Sequence, residues 1–110
     1  MPADEHLSGV QFVVKHHLAS ETGLSMSLHR VSAMVGERQV GTMSWKRTGV
    51  ENIEVDPAHR RQGIASELWR RAHEEAASSP HVVAPKHSKD RTDAGDAWAR
   101  SVGGRLPRRS

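Results

Sequence analysis

With 110 residues, 35% of them hydrophobic, the chain has material for one modest core and cannot hold two full domains. It has no cysteine, which excludes a disulfide-stapled scaffold, a thiol nucleophile and a cysteine-based metal site. The net charge of +3 comes from the C-terminal end, because residues 86–110 contain seven Lys or Arg and only three Asp or Glu. That gradient indicates an anionic partner near the C-terminal quarter.

The first half of the chain is predicted to form strands, at residues 10–15, 24–35, 38–45 and 50–55. Gly36 and Glu37 form the turn that pairs the second and third strands as a hairpin. In the second strand the apolar residues occupy even-numbered positions before His29 and odd-numbered positions after Arg30. This switch of the inward-facing side predicts a bulge at these two residues. Asp56-Pro57 ends the fourth strand, because proline cannot donate to a ladder.

An amphipathic helix follows, since Ile64, Leu68, Ala72 and Ala76 recur every four residues with charged residues opposite. Ser78-Ser79-Pro80 ends it, and residues 81–84 are predicted to form a strand that closes a β-α-β unit.

A second helix is predicted after a polar loop. Thr92 caps its N-terminus, and Gly103-Gly104 end it. Its predicted buried face consists of Ala94, Ala97, Trp98, Ser101 and Val102. The fold class is therefore α/β (α+β), with a mixed, mostly antiparallel sheet in a single domain over residues 1–110. Residues 1–9 and 105–110 are expected to be loose ends.

The stretch from Ile53 to Ser66 is the most informative for function. It reads as a strand, a tight turn, a basic loop with the single glycine Gly63, and a helix start. The first turn of a helix has unpaired N–H groups and a partial positive charge, and Gly63 and Ala65 would let a diphosphate approach the main chain. The spacing predicts a phosphate-binding turn, although neither GxxxxGK[ST] nor GxGxxG is present.

This stretch resembles the acetyl-CoA loop of the GNAT N-acetyltransferase superfamily, a strand ending V-x-P followed by [RQ]-x-x-G-x-[GA] at a helix start. Here Val55-Asp-Pro57 and Arg60-Arg-Gln-Gly63-Ile-Ala65 fill the pattern. The order of elements over residues 24–104 is also similar, so the chain looks like a small, truncated member.

The resemblance implies an acyltransferase that moves an acetyl group from acetyl-CoA to an amine, which attacks the thioester directly without a metal. Backbone groups of the motif strand would hold the pantetheine arm, and the amides of the loop would hold the diphosphate. The cofactor-binding residues so implied are Ile53, Val55, Arg60, Arg61, Gln62, Gly63, Ile64, Ala65 and Ser66.

The catalytic groups are less well defined by the sequence. Many members of the superfamily use a tyrosine on the last helix to protonate the thiolate, and this chain has no tyrosine, so Ser101 or water would have to serve. Glu51, Glu54 and His29 are the candidate bases, although exposed strand residues are the alternative for both carboxylates.

Two other functions stay open: a non-catalytic CoA-binding module, and a nucleic-acid-binding protein that uses the basic C-terminus. We do not expect nucleic acid or a metal as partner, because the tail arginines lack interleaved aromatics and no two histidines have i,i+4 helical spacing. Lys89 or Arg91 could reach the adenosine phosphate of the cofactor. A homodimer could complete the acceptor site.

No apolar run approaches the ~18 residues that a membrane-spanning helix needs, and the N-terminal residues are acidic rather than basic. We therefore expect a cytoplasmic protein without membrane contact.

Overall fold

A computed structural model of the chain describes residues 9–23, 25–60, 62–89 and 91–108. Four antiparallel strands form one sheet in chain order: β1 Gln11–His17, β2 Leu28–Val35, β3 Arg38–Lys46 and β4 Gly49–Val55. The helices are α1 Ala19–Thr22, α2 Ile64–Ser78 and α3 Asp93–Val102, with a 3-10 turn at Pro57–His59. No helix in these ranges is long and apolar enough to cross a membrane. The predicted α+β class is confirmed.

Helix α2 lies across one face of the sheet and closes the core. Ile64, Leu68 and Ala72 on its inner face are at most 1% exposed, and they pack with Val31, Ala33, Met43 and Trp45 of the sheet. Fully burying one such large side chain contributes about 1.5–3 kcal/mol. On the outer face Arg71 Nε donates to Glu67 Oε2 at 2.8 Å. The predicted amphipathic helix is confirmed with both of its faces.

Gly41 of β3 sets how closely α2 approaches the sheet. A Cβ atom at this position would lie 2.9 Å from Ile64 Cγ2, which is closer than carbon atoms pack. The start of α2 therefore rests directly on the β3 backbone, next to the end of β4.

The predicted bulge at His29 and Arg30 is wrong. Strand β2 begins only at Leu28, and its residues from His29 to Ala33 alternate without a break between buried and more exposed. The segment before it bends instead, since Ser27 Oγ accepts the Ala19 N–H at 2.9 Å. The irregularity in β2 lies between Ala33 and Met34, close to the hairpin turn. Residue 24, where the strand was predicted to begin, lies outside the described residues.

The predicted strand at residues 81–84 is also wrong, so no parallel partner of β4 and no β-α-β ladder forms in the described part of the chain. Val82 N–H donates back to Ser79 O at 3.3 Å, which closes a turn and removes that donor from a ladder. Prolines at 80 and 85 lack the N–H group altogether. The segment still runs beside the sheet, because Trp45 Nε1 donates to Val83 O and Val50 N–H donates to Lys86 O.

Helix α3 has the predicted ends but a different buried face. Thr92 Oγ1 accepts the Gly95 N–H at 3.0 Å, and Gly103 leaves the helix with φ +81°. Asp96 and Ala99 are the buried residues, and Trp98 and Val102 are half-buried against the core. The other three residues of the predicted face are exposed: Ala94, Ala97 and Ser101. Asp96 lies inward because two arginines pair with it, Arg91 and Arg100, each at 2.9 Å.

Candidate functional site

The free edge of β4 is the first component of the site. Asp56 N–H donates to Val40 O at 2.8 Å, towards β3. Backbone groups of successive residues alternate in direction along an antiparallel ladder, so those of Ile53 and Val55 point away from β3. Their side chains are half-buried against the core. The edge thus offers main-chain donors and acceptors to an extended ligand.

The N-terminus of α2 is the second component. Gly63 precedes the helix with φ +84°, a left-handed conformation that glycine adopts without strain, and no atom lies within 4 Å of a Cβ placed there. No side chain caps the helix, and no hydrogen bond among the described residues uses the amides of Ile64, Ala65 or Ser66. These amides and the helix dipole make a site for an anion.

Arg60 connects the two components, because its Nε donates to Val55 O at 3.2 Å. The turn before it is fixed by Asp56, whose Oδ1 accepts the Ala58 N–H at 3.2 Å and whose Oδ2 pairs with Arg38 at 2.5 Å. The Ala58 N–H, followed by the charge of Arg38, lowers the pKa of Asp56. Gln62 is partly exposed beside Gly63, and Arg61 lies outside the described residues.

A cleft separates the β4 edge from the segment at residues 86–98 and contains two cavities. The outer cavity, about 460 Å³, is lined by Val50, Glu51, Lys86, His87, Lys89 and Arg105 among others. The inner cavity, about 160 Å³, is lined by Val50, Glu51, Ile53, His87, Gly95 and Trp98 among others. Because both cavities share Val50, Glu51 and His87, they lie next to each other along the strand edge.

His87 is the best-anchored polar side chain in the cleft, at 2% exposure. Its ring stacks on Trp69 with centroids 4.3 Å apart and planes 3° apart, and its Nε2 donates to Gly103 O at 2.7 Å. Its Nδ1 is buried and has no hydrogen-bond partner in the structure. In the sequence His87 lies in a polar stretch with nothing local to distinguish it, because its stacking partner is in α2 and the carbonyl it contacts is just after α3.

Of the two candidate carboxylates, only Glu51 faces the cleft, where it pairs with Lys46 at 2.7 Å. Glu54 is exposed in a different groove, with Arg38, Gln39 and Thr42. The structure therefore does not bring the two together at one cavity.

His29, the third candidate base, lies away from the β4 edge and is 1% exposed on β2. Its Nδ1 is 2.9 Å from His16 Nδ1, and His16 Nε2 is 3.0 Å from Glu75 Oε1. Burial lowers the pKa of His29, and the neighbouring His16 lowers it further. Its contacts assign His29 to packing between β1, β2 and α2.

The other residues singled out in the C-terminal quarter have structural roles or line the outer cavity. Arg91 is turned inward, where it pairs with Asp96, donates to Ser88 O and donates to Pro107 O at 2.9 Å. This contact also ties down the chain beyond α3, which was expected to be loose. Lys89 is exposed at the outer cavity. Ser101, proposed as an acid, donates to Trp98 O at 2.6 Å.

Metal-binding side chains do not cluster in the described ranges, where no group of three or more His, Asp or Glu residues could hold an ion.

Comparison with known proteins adds one match. A model of the acetyltransferase (GNAT) family matches residues 21–101, which is most of the chain and includes the β4 edge, the loop and the start of α2. Searches of curated proteins and of solved structures found no match. The strand, the turn, the loop and the helix that carry the resemblance in the sequence all lie inside the matched region. The chain belongs to the GNAT acetyltransferase family.

Proposed function

We propose that this protein is an N-acetyltransferase that moves an acetyl group from acetyl-CoA to an amine acceptor. The observation that carries the proposal is the junction at Arg60, where the free edge of β4 leads directly to the unpaired amides at the start of α2. An extended arm with a diphosphate at one end fits this arrangement, because the strand edge pairs with amides and the helix start binds the phosphates.

The loop and the strand edge supply the contacts to acetyl-CoA in this proposal. The amides of residues 61–66 and the guanidinium groups of Arg60 and Arg61 bind the diphosphate. The edge groups of Ile53 and Val55 bind the pantetheine arm, and Arg60 gives up Val55 O when the arm pairs there. Gln62, Gly63, Ile64, Ala65 and Ser66 contact the cofactor through these backbone amides.

The acceptor enters through the outer cavity, where Glu51 attracts the amine as its cation. Its nitrogen, once neutral, attacks the carbonyl carbon of the thioester. An edge amide near Val55 stabilises the oxyanion. The C–S bond then breaks and CoA leaves as its thiol. A partner subunit that completes the acceptor site remains part of the proposal.

Two substitutions at Gly63 test the cofactor site. Gly63→Asp and Gly63→Asn are nearly the same size, and both side chains tolerate the left-handed backbone found here. The Asp variant adds a negative charge where the diphosphate binds, so we expect its Kd for acetyl-CoA to exceed that of the Asn variant by about tenfold or more at low salt. Isothermal titration calorimetry measures both, and added salt should narrow the difference.

Failure of the wild-type protein to bind acetyl-CoA, or equal affinities of the two variants, would refute the cofactor site. The missing tyrosine favours one rival, a module that binds CoA without turning it over. Release of free thiol from acetyl-CoA in the presence of a panel of amines separates the enzyme from the binder. A pure binder releases no more thiol than buffer does.

A further inference from the structure

His87 and Trp98, which both line the inner cavity, each carry a buried polar atom without a hydrogen-bond partner among the described residues: Nδ1 of His87 and Nε1 of Trp98. The two rings meet edge to face, with centroids 5.5 Å apart and planes at 81°. A buried polar atom without a partner costs stability, so each one calls for a water, a ligand or a reaction that uses it. Both residues line the cleft along the β4 edge, to which the proposed function assigns the acetyl-CoA arm and the acceptor.

The protonation of His87 follows from its partner. The carbonyl oxygen of Gly103 can only accept a hydrogen bond, so the His87 nitrogen that contacts it at 2.7 Å, Nε2, carries the proton. In the neutral ring Nδ1 then holds a free electron pair. The indole Nε1 of Trp98 can only donate. Just behind the surface of the inner cavity the structure therefore holds one unpaired acceptor and one unpaired donor.

The ring of His87 is also held in place before any ligand binds. Trp69 covers one ring face, Trp98 meets the ring edge, and the exposed fraction is 2%. The preceding residue is fixed to the edge of β4 by the Val50–Lys86 hydrogen bond, 2.9 Å long. In the free protein Nδ1 is closed off from solvent, so the role proposed below requires a ligand arm to displace the Val50–Lys86 hydrogen bond and reach it.

Resting on the function proposed above, we propose that His87 is the catalytic base of the acetyl transfer. The amine nitrogen forms the C–N bond to the thioester carbonyl, and Nδ1 of His87 takes the proton that this nitrogen loses. The C–S bond then breaks with its electron pair on sulfur, and His87 returns the proton to the thiolate. The products are the acetamide, the free CoA thiol and a neutral imidazole. Trp98 Nε1 donates to a carbonyl oxygen of the acetyl-CoA arm.

The chain has no tyrosine that could protonate the leaving thiolate. In this assignment His87 carries that proton instead. His87 lies at the boundary of the two cavities, so it can meet both the acceptor and the sulfur. The charged groups around it come from every neighbouring element: Glu51 of β4, His73 of α2, Arg91 before α3, Lys86 and Lys89 of its own segment, and Arg105.

Nitrogen-15 NMR of the imidazole rings tests the assignment without any turnover. The Gly103 contact predicts the Nε2–H tautomer for the neutral His87 ring. Addition of CoA or acetyl-CoA should shift the His87 Nδ1 resonance, and the rings of His16 and His29, which lie outside the cleft, should not respond. The Nδ1–H tautomer in the free protein, or no response to a cofactor that calorimetry shows to be bound, overturns the proposal.

His87→Gln tests the same assignment by rate. The Gln amide N–H can still donate to Gly103 O, whereas the basic nitrogen is lost. With acetyl-CoA and a panel of primary amines, we expect thiol release to fall about 100-fold or more and its dependence on pH to flatten on the acid side. The matched control is His73→Gln, because His73 also contacts the Trp69 ring but lines neither cavity.

The outcomes separate the two proposals. If the wild-type protein does not bind acetyl-CoA, the proposed function fails and the role of His87 fails with it. If acetyl-CoA binds and is used, and the Gln variant keeps the wild-type rate and pH profile, only the role of His87 is overturned. If the Gln variant does not fold, as judged by its far-UV circular dichroism, the NMR experiment on the wild-type protein decides.

Discussion

The imidazole of His87 lies flat against the indole of Trp69, with ring centroids 4.3 Å apart and planes 3° apart. The two residues come from different parts of the chain, the segment after α2 and the middle of α2 itself. Their contact joins the core to the cleft, because Trp69 is 9% exposed and His87 lines both cavities. A change at this pair should therefore affect the stability of the protein and, if His87 has the role proposed above, its activity.

Replacing Trp69 with alanine should destabilise the protein strongly. The indole packs against His73, His87 and Trp98 at once, and its removal leaves a cavity beside each ring. We expect a loss of about 3–5 kcal/mol in the free energy of unfolding, measured by urea titration. Val13→Ala is the control, because Val13 is 42% exposed and should change the value by about 0.5 kcal/mol or less. Similar losses for both variants would contradict the packing described here.

Replacing Gly41 with alanine should displace the start of α2. The added methyl group would meet Ile64 Cγ2 at 2.9 Å, so the helix or the strand must shift. We expect a loss of about 1–3 kcal/mol, and a weaker affinity for acetyl-CoA because the amides at Ile64 to Ser66 move with the helix. Ile64→Ala removes Cγ2, so Gly41→Ala should cost less stability in that background than in the wild-type protein. An equal cost in the two backgrounds would show that close contact with Ile64 is not the cause.

Acid should destabilise the protein through His29. Burial and the neighbouring His16 lower the pKa of His29 in the folded state, while Glu75 acts the other way. A lowered pKa means that the unfolded chain takes up the proton first, so stability is fully present above the unfolded value of about 6.5 and is lost as the pH falls towards the folded value. The slope per group reaches at most about 1.4 kcal/mol per pH unit.

Urea titrations at pH 7.5 and pH 5.5 measure this loss. In His29→Gln the difference in unfolding free energy between pH 7.5 and pH 5.5 should be smaller than in the wild-type protein. It should not vanish, because burial and His87 also lower the pKa of His73. The comparison uses the change with pH within each variant, so a uniform loss of stability in His29→Gln does not affect it. An unchanged difference would rule out His29 as a main contributor.

Glu51 and Glu54 should behave differently although they lie on the same strand. Glu51 faces the cleft and Glu54 faces the groove near Arg38. If Glu51 attracts the amine, Glu51→Gln should raise KM for the acceptor by about threefold to tenfold and change the affinity for acetyl-CoA little. Glu54→Gln is the matched control and should leave both unchanged. Equal effects of the two substitutions on KM would contradict the placement of the acceptor in the outer cavity.

The local structure of the loop between β4 and α2 could be predicted from the sequence because it depends on neighbouring residues. Three features follow one another within a few residues: the turn at Asp56-Pro57, the glycine at 63 and the amphipathic repeat from Ile64. Each one determines the backbone conformation of its own residues. The bulge at His29 was mispredicted for the opposite reason. Its apolar pattern included residues before Leu28 that a side-chain contact to Ala19 bends away from the strand.

The sequence by itself determined the four strands before α2, the hairpin at Gly36-Glu37 and the start of α2 after Gly63, since these depend on neighbouring residues. Only the tertiary structure decided that residues 81–84 form no strand, that Arg91 turns inward to Asp96 and that Glu51 and Glu54 face different cavities. It alone brought His87 against Trp69, Trp98 and Gly103. Such contacts join residues far apart in the chain, and the free energy of packing them together leaves no periodic pattern in the sequence.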